Sequence, residues 1–185
     1  MVLAAGDLGG AYSGFALDPA KSGPRTRDEL IKEDCNPQRQ ASELDETHWM
    51  AGYESEFAPA SGSSESSDDT FFIASSANLF QDASGGALAL QEMMSDALQK
   101  AHTECQGVNI GEVTKAEGPT FGDESWASEA SFTVTTGNQT LSGVLTTVVF
   151  RQGQVIVSVG IARFGNTGVS DELVRLAKVL AERAK

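Results

Sequence analysis

The sequence predicts an α+β fold: an antiparallel sheet of about five or six strands with amphipathic helices packed on it as a layered sandwich. Three observations carry this. Leu141 to Phe164, "LSGVLTTVVFRQGQVIVSVGIARF", reads as two apolar strands joined by a tight turn. Ser125–Thr136, "SWASEASFTVTT", alternates with the strand period of two. Two further segments carry apolar residues at spacings of three and four, the mark of helices that bury one stripe.

The chain opens on an apolar-rich stretch, Val2–Leu8, good for one or two helical turns and closed by Gly9-Gly10. Ala16–Gly23, with Pro19, reads as loop. "RTRDELIKED" is a short helix, ended by Cys35-Asn36-Pro37. Met50–Phe57 has strand periodicity, with Tyr53, Ser55 and Phe57 on one face and Glu54 and Glu56 on the other. Ala58–Thr70, "APASGSSESSDDT", is too poor in apolar groups to order itself and reads as a mobile acidic loop. A calcium loop built on Glu65, Asp68 and Asp69 would need a ligand spacing that is not there.

Thr70–Phe80 is the next strand. Asp82 and Ser84 are cap-type residues for a helix running over Ala87–Cys105, with Leu90, Met93, Met94, Ala97, Leu98 and Ala101 as its stripe. Val108–Ala116 is a weaker strand, and Gly118-Pro119 a turn. Keeping Trp126, Phe132 and Val134 on the face of Val144, Val148 and Phe150 requires an odd, three-residue connection, Gly137–Gln139, or a bulge. After "GNTG", Ser170 caps the last helix, whose stripe is Leu173, Leu176, Ala177 and Leu180. The whole chain, 1–185, is expected to form one domain.

Composition narrows function. With 26 acidic against 13 basic residues the formal charge is −13, which argues against nucleic-acid binding and against charge-driven attachment to anionic lipid. No run approaches the roughly 18 apolar residues of a membrane span. Cys35 and Cys105 are the two cysteines, and with His48 and His102 they show no zinc spacing. No metal and no cofactor are expected. Phosphate-binding loops, dinucleotide fingerprints and nucleophile elbows do not occur.

The remaining chemistry is thin. His102 and Cys105 stand three apart on the expected helix, without an orienting third group. His48 adjoins Trp49, and Asp123-Glu124 is a pair of acids on a turn. Asn138-Gln139-Thr140 fits the N-glycosylation pattern.

The hairpin is more informative. A turn at Gln152-Gly153 pairs Phe150 with Val155 and Val148 with Val157, giving a dense apolar column for the helices to cover. The opposite face carries Leu145, Thr147, Val149, Ile156, Ser158 and Gly160. It is either a half-solvated sheet face or a ligand wall, apolar with a few hydroxyl anchors and room left by small residues.

Several segments together resemble a family of small bacterial exported lipoproteins: "VLAAGDLGGAYSGF", "GYESEF", "LFQDASGGALAL", "FGDESWA", and "VVFRQGQVIVSVGI" followed by "ELVRLAKVLAERA". A looser resemblance is to the extracellular sensor domain of mycobacterial Ser/Thr kinases. The likeness implies a non-enzymatic extracytoplasmic binding or sensing domain, held at the membrane by an N-terminal lipid on a segment preceding Met1. Its expected partners are a small hydrophobic ligand or another cell-surface protein, not nucleic acid. Export in turn implies a Cys35–Cys105 disulfide. The alternatives are a protein-interaction module using a sheet edge and an enzyme with an acidic site around Asp123, Glu124 and His48.

Overall fold

The computed structural model describes residues 1–60, 70–99, 103–105, 108–136, 139–164 and 168–185. Two single-turn 3-10 helices, Ala5–Asp7 and Gly10–Tyr12, lead into β1 (Phe15–Leu17) and β2 (Gly23–Arg25). Then come α1 (Arg27–Glu33), α2 (Pro37–Glu46), β3 (Trp49–Pro59), β4 (Thr70–Phe80) and α3 (Ala83–Gln99). The chain closes with β5 (Thr103–Cys105), β6 (Val108–Ala116), β7 (Glu124–Thr136), β8 (Gln139–Gln152), β9 (Val155–Arg163) and α4 (Asp171–Arg183).

The strands form one antiparallel sheet in the order β1-β3-β4-β9-β8-β7-β6-β5, with β2 also paired to β3. The α+β class stands, but the sheet has nine strands rather than five or six. The surplus lies at its margins: β1, β2 and β5 are three residues each, too short to show a period.

The helices do not share one face, as the sequence reading had supposed. Val148, Phe150, Val157, Val159 and Ile161 pack with Leu173, Leu176, Ala177 and Leu180 of α4, all four of them fully buried, and with Leu3, Leu8, Tyr12 and Phe15. Val149 and Ile156 point the other way and pack with Phe80 and with Ala89 and Leu90 of α3. Helices therefore cover both faces, and each face needs its own apolar set.

That two-sided burial corrects the β7–β8 register. Thr136 pairs with Gln139 and Phe132 with Gly143, without a bulge, so Trp126 stands opposite Val149 rather than on the Val148 face. The odd connection is not made, because an apolar Trp126 is equally at home on the second face. The β8–β9 turn is also one residue from its expected place, which moves the pairing by two: Gln152 pairs with Val155, Phe150 with Val157 and Val148 with Val159. Gly153, first in the turn, takes φ +59°, a value a two-residue hairpin demands and glycine supplies without strain. A shift of two leaves every side chain on its expected face.

Local signals set the helix ends. The α1 start is a capping box, Thr26 with Glu29. For α2, Asn36 is the N-cap and Pro37 the first helical residue, so the "CNP" expected to end one helix begins the next. The Asp82 carboxylate accepts from the Gly85 N–H (2.8 Å), and Ser170 Oγ from the Leu173 N–H (3.2 Å). The first of these helices is shorter than expected, since the backbone is extended again at Thr103–Cys105. The N-terminal segment is pinned to the sheet by the Leu3 N–H donating to Ser75 Oγ (2.9 Å), itself bonded to Ser55 Oγ (2.9 Å), all of it buried.

Candidate functional site

α3 covers its face of the sheet only at one end. Val149 and Ile156, 3% and 1% exposed, lie beneath it as core. Further along the strands the face is open. There Leu145 and Thr147 of β8 and Ser158 and Gly160 of β9 come together on a hollow of about 280 Å³. Its other walls are Phe72, Ala74 and Ser76 of β4, Glu54 and Glu56 of β3, and Lys21. The structure thus divides the six predicted wall residues: four line one hollow and two belong to the core. Pairing dictates this grouping, for Thr147 is opposite Gly160, and Ser158 lies between Val149 and Ser76.

Ser76 and Ser158 hydroxyls are bonded at 2.8 Å across the β4–β9 pair. Lys21 Nζ donates to Glu56 Oε1 at 2.7 Å, and Ser22 Oγ accepts from the Glu56 N–H at 3.0 Å, which ties the loop before β2 to the rim. Gly160 is not an open gap. A Cβ there would stand 3.2 Å from Leu145 Cδ1 and 3.2 Å from Thr147 Oγ1. The glycine lets those two side chains lean across β9, and the free volume lies in front of them.

A second hollow of about 340 Å³ lies nearer the helices, lined by α1, α2, α3 and the near ends of β3 and β4. Trp49, Leu44 and Phe80 make its apolar lining, and the Trp49 indole N–H donates to Asn78 Oδ1 at 3.0 Å. Glu54 lines both hollows. Burial raises its carboxyl above the ordinary value; Arg25, 3.4 Å away, opposes this, and Glu33 and Glu56 add to it. Sequence reading missed this second hollow because one of its walls is α2, a helix whose stripe was not recognised.

The other singled-out residues have structural employment or lie elsewhere. Asp123 and Glu124 each hold Arg151 at 3.1 Å, and Asp123 Oδ2 also accepts the Gly153 N–H at 2.7 Å, so the acids brace the β8–β9 turn. Among the described residues no hydrogen bond joins His48 to either. His48 has φ +52° at the junction of α2 and β3, where its carbonyl accepts from the Gln81 N–H (3.0 Å). Cys105 is in an extended strand, so the helical spacing that would bring it beside His102 does not apply. His102, Asn138 and the loop acids Glu65, Asp68 and Asp69 lie outside the described residues. Cys35 is disulfide-bonded, and Cys105, the other cysteine of the sequence, contributes its backbone to β5. Among the described residues, no three His, Cys, Asp or Glu side chains are grouped to hold a metal ion, and no helix is long and apolar enough to cross a membrane.

The fold is similar to that of a solved extracellular domain. The matching structure is the crystal structure of the extracellular domain of PknH from Mycobacterium tuberculosis, with a TM-score of 0.59 over 99% of this chain and 92% of that one. At 9% identity this likeness shows the fold alone. No family model and no curated protein matches the chain.

Proposed function

We propose that this protein is a non-enzymatic extracytoplasmic binding or sensing domain, lipid-anchored through a segment preceding Met1, whose ligand rests on the hollow formed by Leu145, Thr147, Ser158 and Gly160. The observation that carries the reading is that these residues share one open hollow with Ser76 and Ala74, on the sheet face that α3 covers only at one end. An apolar wall with a few hydroxyls suits a small molecule with an apolar body and one or two hydrogen-bonding groups. Two further observations support it. The fold is shared with a domain described as extracellular, and a bonded Cys35 fits an oxidising compartment. We assign Cys105 as its partner.

The test uses thermal shift and native mass spectrometry with monodecanoylglycerol, decanol and decanoate on wild type and Ser158→Leu. Ser158 is half-buried on the hollow, and a leucine there takes up its free space without entering the α4 core. Saturable binding to wild type that the variant loses is the expected result. Equal binding by both proteins, or none by either, refutes the assignment.

A second reading has one observation behind it. Leu17 on the edge strand β1 and Tyr53 on β3 are 47% and 45% exposed and border one apolar hollow of about 470 Å³. An exposed apolar edge of this kind suits a protein partner. A Leu17→Lys variant that loses self-association or partner binding while keeping small-molecule binding would favour it.

A further inference from the structure

The hollow beneath α1 and α2 has a different chemistry from the hydroxyl-lined one. Four carboxylates border it, Asp34, Glu43, Glu54 and Glu92, against the single guanidinium of Arg39. Arg39 is engaged with Glu43 at 2.7 Å and reaches Asp34 at 3.9 Å. Glu54 shares Arg25 with Glu33, and Glu92, half-buried on α3, has no ion pair among the described residues. Between these acids stand the Trp49 and Phe80 rings, with Leu44 deep in the wall and Met93 at the mouth.

We propose that this hollow binds an organic monocation with an apolar body, of the substituted-ammonium class. A cation within about 6 Å of an aromatic face is attracted by its negative π charge, which Trp49 and Phe80 in the lining can supply, and the carboxylates add charge complementarity at the rim. A hard divalent metal fits poorly, since it wants six to eight oxygens converging on a point, whereas these acids come from four separate elements with apolar residues between them. At about 340 Å³ the space suits a small organic molecule. Electrostatics agrees with the geometry. Burial, then Glu43 and Glu46, hold the Glu92 carboxyl above its ordinary value against the pull of Arg39, and burial with Glu33 and Glu56 raises Glu54 against Arg25, so an entering cation relieves repulsion among these carboxylates. This site goes beyond the proposed ligand wall and does not depend on it.

The experiment follows the two indole N–H signals in ¹H–¹⁵N spectra of the full chain, the Trp49 signal being identified by its loss in Trp49→Phe. The probes are hexyltrimethylammonium, hexanol and hexanoate. The expected result is a saturable shift of the Trp49 signal with the cation, weakened by added salt. Hexanol and hexanoate bind at least about tenfold more weakly, and Glu92→Gln or Glu54→Gln loosens the cation by about the same factor, near 1.4 kcal/mol each. An equal response to hexanol shows a merely apolar hollow and overturns the proposal. So does no shift up to about 10 mM, or cation binding unchanged in both glutamine variants and insensitive to salt. Because the indole reports here and the Ser158 amide reports the other hollow, failure at one site leaves the other reading standing.

Discussion

Replacing Gly160 by alanine measures whether free volume really lies in front of the β8–β9 wall. The added Cβ would sit 3.2 Å from both Leu145 Cδ1 and Thr147 Oγ1 and 3.5 Å from the Thr146 carbonyl oxygen. Comfortable carbon contacts begin near 3.5 Å, so both side chains must yield by a few tenths of an ångström. Each is half-buried and faces the hollow, so each can turn into it. Pushing a side chain off its rotamer costs about 0.5–1.5 kcal/mol. Against that, alanine in a strand interior recovers about 0.5–1 kcal/mol of the entropy glycine loses. With two side chains displaced, the net change is expected to be a destabilisation of about 0–2.5 kcal/mol, at about 2–4 °C in Tm per kcal/mol for a chain of this size. Urea unfolding followed by far-UV circular dichroism reads the first quantity, and a melting curve the second. Monodecanoylglycerol binding to the same variant should weaken, since Leu145 and Thr147 now occupy the hollow. A loss above about 3 kcal/mol would mean the neighbours have nowhere to go, as in a filled core, and would refute the account of this face.

The other predictions concern the frame. Leu180→Ala removes a fully buried side chain of α4 and is expected to cost about 2–5 kcal/mol in urea unfolding. Asp7 ties the N-terminal segment to α4 through Arg183 at 2.5 and 2.8 Å; burial works to raise its carboxyl, but the Arg183 hydrogen bonds and the Ala4 N–H outweigh it, and the group lies below its ordinary 3.8. A depressed acid stabilises above its unfolded value and ceases to as pH falls through the folded one. Asp7→Asn should therefore cost about 1 kcal/mol at pH 7, a modest figure because Arg183 is 40% exposed, and progressively less as pH falls below 3.8, as read from paired melting curves. Non-reducing peptide mapping should recover a Cys35–Cys105 cross-linked peptide, and reduction should cost up to about 4 kcal/mol for a closed loop of roughly 70 residues; two alkylated thiols in native protein would exclude it.

What could be read in the sequence was what has a period. The α4 helix, with its Ser170 cap and its Leu173–Leu176–Leu180 stripe, is as expected, because one face is wholly buried and the pattern is unambiguous. The two faces of the β8–β9 hairpin were legible too, since period two survives an even slip of register. The β7–β8 register was not, because period two does not say which of two buried faces Trp126 joins. The short strands β1, β2 and β5 carry no period at all. The α2 helix buries only Leu44 among its ten residues, and its one clear signal, Asn36-Pro37, is as good a stop as a start. At the candidate site Leu145 and the small and hydroxylated residues Thr147, Ser158 and Gly160 fall on the open part of the face. Val149 and Ile156 lie under α3 instead, because sequence does not say how far along the strands α3 reaches.

Whether the open part of the sheet face is a binding surface is decided by a ¹H–¹⁵N titration of the wild-type chain with monodecanoylglycerol. The account predicts saturable shifts concentrated at the amides of Ser76, Thr147, Ser158 and Gly160, with Leu173, Leu176 and Leu180 in the opposite core unmoved. Shifts spread evenly over exposed residues, or none, would contradict it and leave an ordinary solvated sheet face.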